Sequence, residues 1–339
     1  LVAGLSGGSK LAYILGFGGL TGMGVGFSFS ALTPPAIKWF PPHRTGLVVG
    51  CVVAGSGLAP VFLAPLTIWL LRVFALTTPA GVVEPGVSQG MMVLGVLIWL
   101  VVLGLFWIVE NPPSGFSAEG EPLQGKAPPK DDASWQQMVR TPQFWLLYLM
   151  YFAGAAAGLT FISVAADLGK QALGEMAFLA VMVLAIGNTV GRVSAGVLSD
   201  RIGRQLTLFG EFLFQSWMIG ALYWVSGDGS GGRTAILAIL FFIGVNFGAN
   251  LAIFPAACRD HFGLRYFGLN YGCLFTAWGL AGLVMPWLNG VIRDTTGKQD
   301  LSYLVIVVML LLAAGMALVS RSLALRPAEQ KSGGIAWRS

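Results

Sequence analysis

The chain is 339 residues long, 55% apolar and only 10% charged, with a formal net charge of +5 and a mean hydropathy of +0.75. That balance excludes an ordinary water-soluble domain and a disordered charged tail, and points to a chain dissolved largely in lipid. The basic residues are scattered and not interleaved with aromatics on a polar segment, so nucleic acid is not an expected partner.

Charges leave nine stretches long enough to cross a bilayer as helices: 10–38, 44–72, 84–110, 140–167, 176–199, 205–227, 234–258, 266–292 and 301–320. Residues 1–6 read as the tail of another. The opening run has no basic n-region and outruns an h-region, so it is a span and not a secretory leader. Pro60, Pro65, Pro255 and Pro286 predict kinks. Between the third and fourth spans, residues 111–140 are rich in Pro, Gly and charge and read as a linker. Tyr148, Tyr151 and Phe152 follow in the fourth span as pocket candidates.

The fifth span carries the most informative residue. Arg192 stands alone in a stretch otherwise uncharged from Met176 to Ser199, about 12 Å along the helix from Asp200 at 1.5 Å per residue. A guanidinium at such depth costs at least about 2.5 kcal/mol on the insertion scale, so it predicts an anionic partner, with snorkelling to the interface as the alternative. Asn188 lies one turn earlier on the same face. Gly187, Gly191 and Ala195 form a small-residue stripe that predicts a closely packed neighbour.

The remaining spans add fewer polar residues. Glu211 lies about two turns from the end of its span and reads as an interface-facing acid. Asn246 and Asn250 sit one turn apart in an apolar span, either lining a cavity or bonding helices together. Trp278 either floors a pocket or packs between helices. Cys51, Cys258 and Cys273 are scattered and predict neither disulfide nor metal site. His43 and His261 fall in loops, no catalytic constellation is visible, and neither enzyme activity nor a cofactor is expected.

An internal repeat links the two halves. GVGFSFSALTPPA (24–36) matches GVNFGANLAIFPA (244–256) at an offset of 220, and Phe40, Gly46, Gly50, Cys51, Gly57 and Leu58 match Phe262, Gly268, Gly272, Cys273, Gly279 and Leu280 at 222. Ser56 is thereby the counterpart of Trp278. Similar halves joined by a polar linker mark a duplicated transporter bundle. The division expected is a remnant of the N-terminal bundle over 1–110, about three spans, then the linker 111–140, a C-terminal six-helix bundle over 141–325 and a tail over 326–339. The second half has roughly three more spans before the repeated segment than the first, and the chain opens on Leu1, so a fragment of a longer protein is expected.

Residues 196–204, GVLSDRIGR, resemble the G-x-x-x-D-R-x-G-R loop of the major facilitator superfamily. GNTVGRVSAGVLSDRIGR, WFPPHRTGLVVG and FGLNYGCLFTAWGLAG are similar to the oxalate/formate antiporter family, which overlaps the monocarboxylate porters, and the likeness covers nearly the whole chain. It implies an all-α membrane protein of two pseudo-symmetric six-helix bundles, with about nine of twelve transmembrane helices present. It also implies that Gly196, Asp200, Arg201, Gly203 and Arg204 form a conformational latch. Asp200 would meet the positive N-terminus of a neighbouring helix, while Arg201 and Arg204 reach headgroups or carboxylates; simple capping of the next helix is the alternative.

The resemblance implies that Arg192 grips a substrate carboxylate, a group suited to its bidentate fork. Where the family's oxalate carrier has a lysine in an F/Y-T-A-K-like segment, this chain reads Phe275, Thr276, Ala277, Trp278. Where the proton-coupled porters have an acid four residues before the arginine, it has Asn188. One cation favours a monocarboxylate of formate, lactate or pyruvate type over oxalate. The missing acid favours exchange or uniport over proton symport. The alternatives are an oxalate/formate-type dicarboxylate antiporter and a non-transporting sensor. The expected substrate site is Arg192, Asn188, Trp278, Asn246, Asn250 and Ser56. With the 199–204 loop cytoplasmic, thirteen basic residues including Lys38, Arg44 and Arg265 fall on that side and six, among them Lys10 and Arg72, on the other. That bias predicts a multi-pass protein with its C-terminus in the cytoplasm; a monomer in the plasma (inner) membrane is expected.

Overall fold

The computed structural model describes residues 5, 9–77, 83–84, 86–113, 116, 132–174, 178–227, 232–296 and 300–332. Most of the expected linker lies outside them. Among the described residues nine long helices carry the fold: α1 (Thr21–Lys38), α2 (Thr45–Val73), α3 (Val87–Phe106), α4 (Pro142–Leu173), α5 (Phe178–Ile202), α6 (Arg204–Gly227), α7 (Arg233–Phe262), α8 (Phe267–Thr296) and α9 (Asp300–Ser332). A helical turn, Lys10–Tyr13, and a π-helical stretch, Ile14–Leu20, lead into α1. Counting that lead-in with α1, eight of the nine are long and apolar enough to cross a membrane. The exception is α6, which carries Glu211 and Gln215. The strands among the described residues, β1 (Leu76–Thr77) and β2 (Val83–Glu84), pair antiparallel between α2 and α3.

The structure refines several boundaries. α4 continues past the expected end at 167 to Leu173, and α9 takes in the first residues of the expected tail. Charge marks where a span can leave lipid, but backbone hydrogen bonding continues the helix into water. α4 starts where Thr141 accepts the Phe144 N–H at 3.2 Å ahead of Pro142, a cap followed by proline at the position where no N–H is needed. Gly203, at φ +94°, turns the chain between α5 and α6, a conformation that side chains with a Cβ rarely adopt.

The chain divides into two compact units, one of residues 1–39 and 58–118, the other of residues 40–57 and 119–339. In the first, Trp39 donates from Nε1 to the Glu110 carbonyl at 3.0 Å and Lys38 donates to Asn111 Oδ1 at 3.0 Å. In the second, α4 to α9 form a six-helix bundle with α5 against α7, α6 against α9, and α4 against both α8 and α9. The first turns of α2 pack with this bundle.

Glycines set the spacing at its centre. A Cβ on Gly187 would strike the Phe241 carbonyl, on Gly191 that of Val245, on Gly244 that of Leu184, and on Gly248 that of Asn188. The stripe expected on α5 therefore meets a matching stripe on α7, backbone against backbone. The opposite side of α5 is equally close to α2, where a Cβ on Gly50 would strike the Arg192 carbonyl and one on Gly46 the Gly196 carbonyl. Arg192 thus sits on a helix gripped from two sides.

Candidate functional site

Arg192 is buried, 4% exposed. It does not snorkel along α5; its guanidinium is turned inward and bonded. Nε donates to Asn188 Oδ1 at 3.2 Å, and Nη1 donates to the Val53 carbonyl and to Ser56 Oγ on α2. Ser56 itself donates to Val53 O at 2.9 Å. All these acceptors are neutral, and no carboxylate pairs with Arg192 among the described residues. A buried cation held only by neutral oxygens keeps a full positive charge available to an anion.

An aromatic file stands in the same bundle. Tyr151 on α4 and Tyr271 on α8 are 0% and 1% exposed, and their hydroxyls are 3.2 Å apart. Tyr151 stacks on Phe254 at 4.2 Å, and Tyr271 contacts Phe275, which stacks on Trp278 at 5.4 Å between nearly parallel planes. One O–H serves the Tyr151–Tyr271 bond, which leaves the other hydroxyl hydrogen unused by that pair.

Of the six expected substrate residues, the structure joins Arg192, Asn188 and Ser56 by hydrogen bonds and places Trp278 at the end of the aromatic file. Asn246 and Asn250 are buried on α7, but their amides turn back on their own helix, to Phe242 O and Asn246 O, both at 2.9 Å. Neither bonds Arg192 among the described residues. Asn250 presses against Gly154 of α4, and its Oδ1 has no hydrogen-bond partner among the described residues. Tyr271 was not foreseen, although Tyr271, Phe275 and Trp278 follow the i, i+4, i+7 spacing of one helix face. The Val53 carbonyl had no sequence signal at all. Glu211 does not face the interface: it is 8% exposed, because the buried stripe Leu208, Glu211, Gln215, Ile219 and Leu222 turns it inward.

At the end of α5, Asp200 accepts the Gly46 and Leu47 N–H groups with its two oxygens, each at 2.9 Å. It caps α2 and not the helix that follows it. The first free N–H groups of a helix, with the positive end of its dipole, suit a carboxylate. Arg204 joins Asp200 at 2.7 Å to Asp260 at 2.9 Å and donates to Ser199 Oγ at 2.6 Å. Arg259 extends the set from Asp260, at 3.6 Å, to the Thr45 hydroxyl. Gly196 lets α2 approach, Gly203 makes the turn, and Arg201 is exposed. Four charged side chains and a helix terminus thus close one end of the α2–α5–α7 contact.

The sequence pattern of the Major Facilitator Superfamily matches residues 1–286. The chain belongs to that superfamily. It is 28% identical over 281 residues to the oxalate:formate antiporter of Oxalobacter formigenes, covering 82% of this chain and 62% of that protein. It is 26% identical over 309 residues to monocarboxylate transporter 11 of Mus musculus, covering 88% and 64%. The chain thus spans a little over three fifths of the length of these curated relatives. In fold it is similar to the solved fucose:proton symporter of E. coli, with a TM-score of 0.65 at 13% identity over 92% of this chain and 77% of that one. The chain is a multi-pass membrane protein of transporter fold.

Proposed function

We propose that this chain is part of a secondary transporter that carries a small monocarboxylate, of formate, lactate or pyruvate type, by alternating access. The observation that carries this reading is a buried guanidinium held by Asn188, Val53 and Ser56 without a carboxylate of its own among the described residues. A planar carboxylate matches the guanidinium fork, and displacing neutral acceptors from it costs less than breaking an ion pair. The names of two relatives, an oxalate:formate antiporter and a monocarboxylate transporter, favour the same class of cargo. Trp278 in place of a second cation favours one negative charge per cargo, and Asn188 beside the guanidinium favours exchange or uniport.

In this reading Asp200, Arg204 and Asp260 latch α2 to α5 and α7 in one conformational state. The 199–204 loop and the C-terminus lie in the cytoplasm, as the distribution of basic residues favours, and the protein works as a monomer in the plasma membrane. The test is counterflow in proteoliposomes containing the full-length protein, against a panel of labelled carboxylates. Formate, lactate or pyruvate exchanging faster than oxalate supports the reading. Oxalate exchanging fastest overturns the monocarboxylate assignment, and no movement of any anion overturns the transport reading.

A further inference from the structure

α6 packs against α9, α7 and α5, and Glu211 and Gln215 lie one turn apart at the middle of its buried stripe, 8% and 0% exposed. Neither carboxyl oxygen of Glu211, and neither polar side-chain atom of Gln215, has a hydrogen-bond partner among the described residues. The charged and titratable groups on the packed elements are engaged elsewhere or lie at helix ends. On α5, Arg192 is bonded to Asn188 and α2, Asp200 to the α2 terminus, and Arg201 is exposed. On α7, Arg259 and Asp260 pair with each other, His261 meets Gln205, Cys258 is buried and Arg233 opens the helix. On α9, Tyr303 packs on Phe161 and Tyr223, Asp300 starts the helix and Arg321 is exposed. On α6 itself, Arg204 pairs with Asp200 and Asp260. No ion pair reaches the Glu211 carboxyl among the described residues.

A carboxylate enclosed with neither cation nor donor loses its hydration and gains nothing in return. The neutral acid sheds that charge, and its O–H gains the Gln215 amide, on the same face, as a prospective acceptor. Three side-chain oxygens from two residues are too few to replace the shell of a metal cation. The ligand that fits is a proton.

We propose that Glu211 is a proton-binding site of the carrier, separate from the Arg192 site, which holds its proton while the seam of α6 with α9 and α7 is closed and gives it to water when that seam hydrates. In that step the acid O–H bond breaks, its electron pair stays on the carboxylate, and water takes the proton. Release makes the seam anionic and opposes reclosing, so the closed packing is favoured by low pH. This links transport to pH although no acid pairs with Arg192 among the described residues. Only the transport arm of the test below rests on the reading given under Proposed function.

The first arm is infrared difference spectroscopy of the purified full-length protein between acid and alkaline buffer, without cargo. A protonated-carboxyl stretch that disappears on alkalinisation in the parent and is missing from Glu211→Gln supports the site; an identical difference spectrum in the variant overturns it. If Glu211→Gln does not fold, Glu211→Asp serves, and the same band must move for the proposal to stand. The second arm is counterflow of radiolabelled formate as a function of pH. The parent rate is expected to fall by about tenfold per pH unit above the midpoint of a single site, and Glu211→Gln is expected to hold the acid-limb rate throughout. A variant that keeps the parent pH profile, or stays at the alkaline rate, overturns the link to transport. A carboxyl band lost in the variant, with formate immobile in every protein, leaves the proton site standing and overturns formate as cargo.

Discussion

Arg192 is held by neutral acceptors, and its proposed role as an anion anchor is tested by changes that leave the helix intact. Arg192→Lys keeps the charge and loses the planar fork. Loss of one charged hydrogen bond is worth about 1.5–3 kcal/mol, so counterflow at normal membrane abundance is expected to drop roughly tenfold or more. Asn188→Asp puts a carboxylate where an oxygen already lies 3.2 Å from Nε. At high pH that carboxylate pairs with the guanidinium and competes with cargo, and at low pH protonation frees it. Exchange by this variant is therefore expected to fall as pH rises, relative to the parent, in a counterflow pH series. Asn188, one turn away on the same face, was legible in the sequence as its partner. The acceptors on α2 were not, because a backbone carbonyl leaves no trace in residue identity.

At the scale of helices, contact between backbones fixes α5. Gly191→Ala would drive a Cβ into the Val245 carbonyl, and Gly248→Ala into that of Asn188. Each is expected to cost about 1–3 kcal/mol, seen as a lower midpoint in thermal denaturation of the detergent-solubilised protein. Gly220→Ala is the control: nothing lies within 4 Å of its added Cβ, and alanine favours the helix by up to about 1 kcal/mol. The small-residue spacing announced that α5 would be approached closely. That α7 answers it on one side and α2 on the other follows from packing alone. The amide pair Asn246 and Asn250 illustrates the opposite case: in an apolar span, polar residues suggest a cavity or a bond between helices, but their own helix supplies carbonyls one turn back, and the amides take those.

At the scale of the whole molecule, the network of Asp200, Arg204, Asp260 and Arg259 closes one end of the α2–α5–α7 contact. Asp200→Asn keeps one acceptor and turns the other into an N–H donor facing a helix N–H group. The α2 terminus is expected to lose about 1–3 kcal/mol of hold. Hydrogen exchange checks this: the segment containing Gly46 and Leu47 should exchange faster in the variant, while α9 is unchanged. If the network is the latch of one conformational state, the same variant also slows counterflow. Unchanged exchange at Gly46 and Leu47 would remove Asp200 from that role.

Hydropathy and the spacing of charges by themselves determined where the long helices of the described residues form and about where each ends, and marked the lone cation on the fifth as either anion-paired or snorkelling, because the cost of burying charge and unpaired backbone in lipid acts on sequence directly. The motif at 196–204 and the repeat determined the family. Only the tertiary structure decided what the buried groups bond: neutral acceptors for Arg192, a foreign helix terminus for Asp200, a second phenol for Tyr151, and no hydrogen-bond partner for Glu211 among the described residues. Those pairings depend on which helix faces come together, and residues distant in sequence carry no record of that meeting until the helices pack.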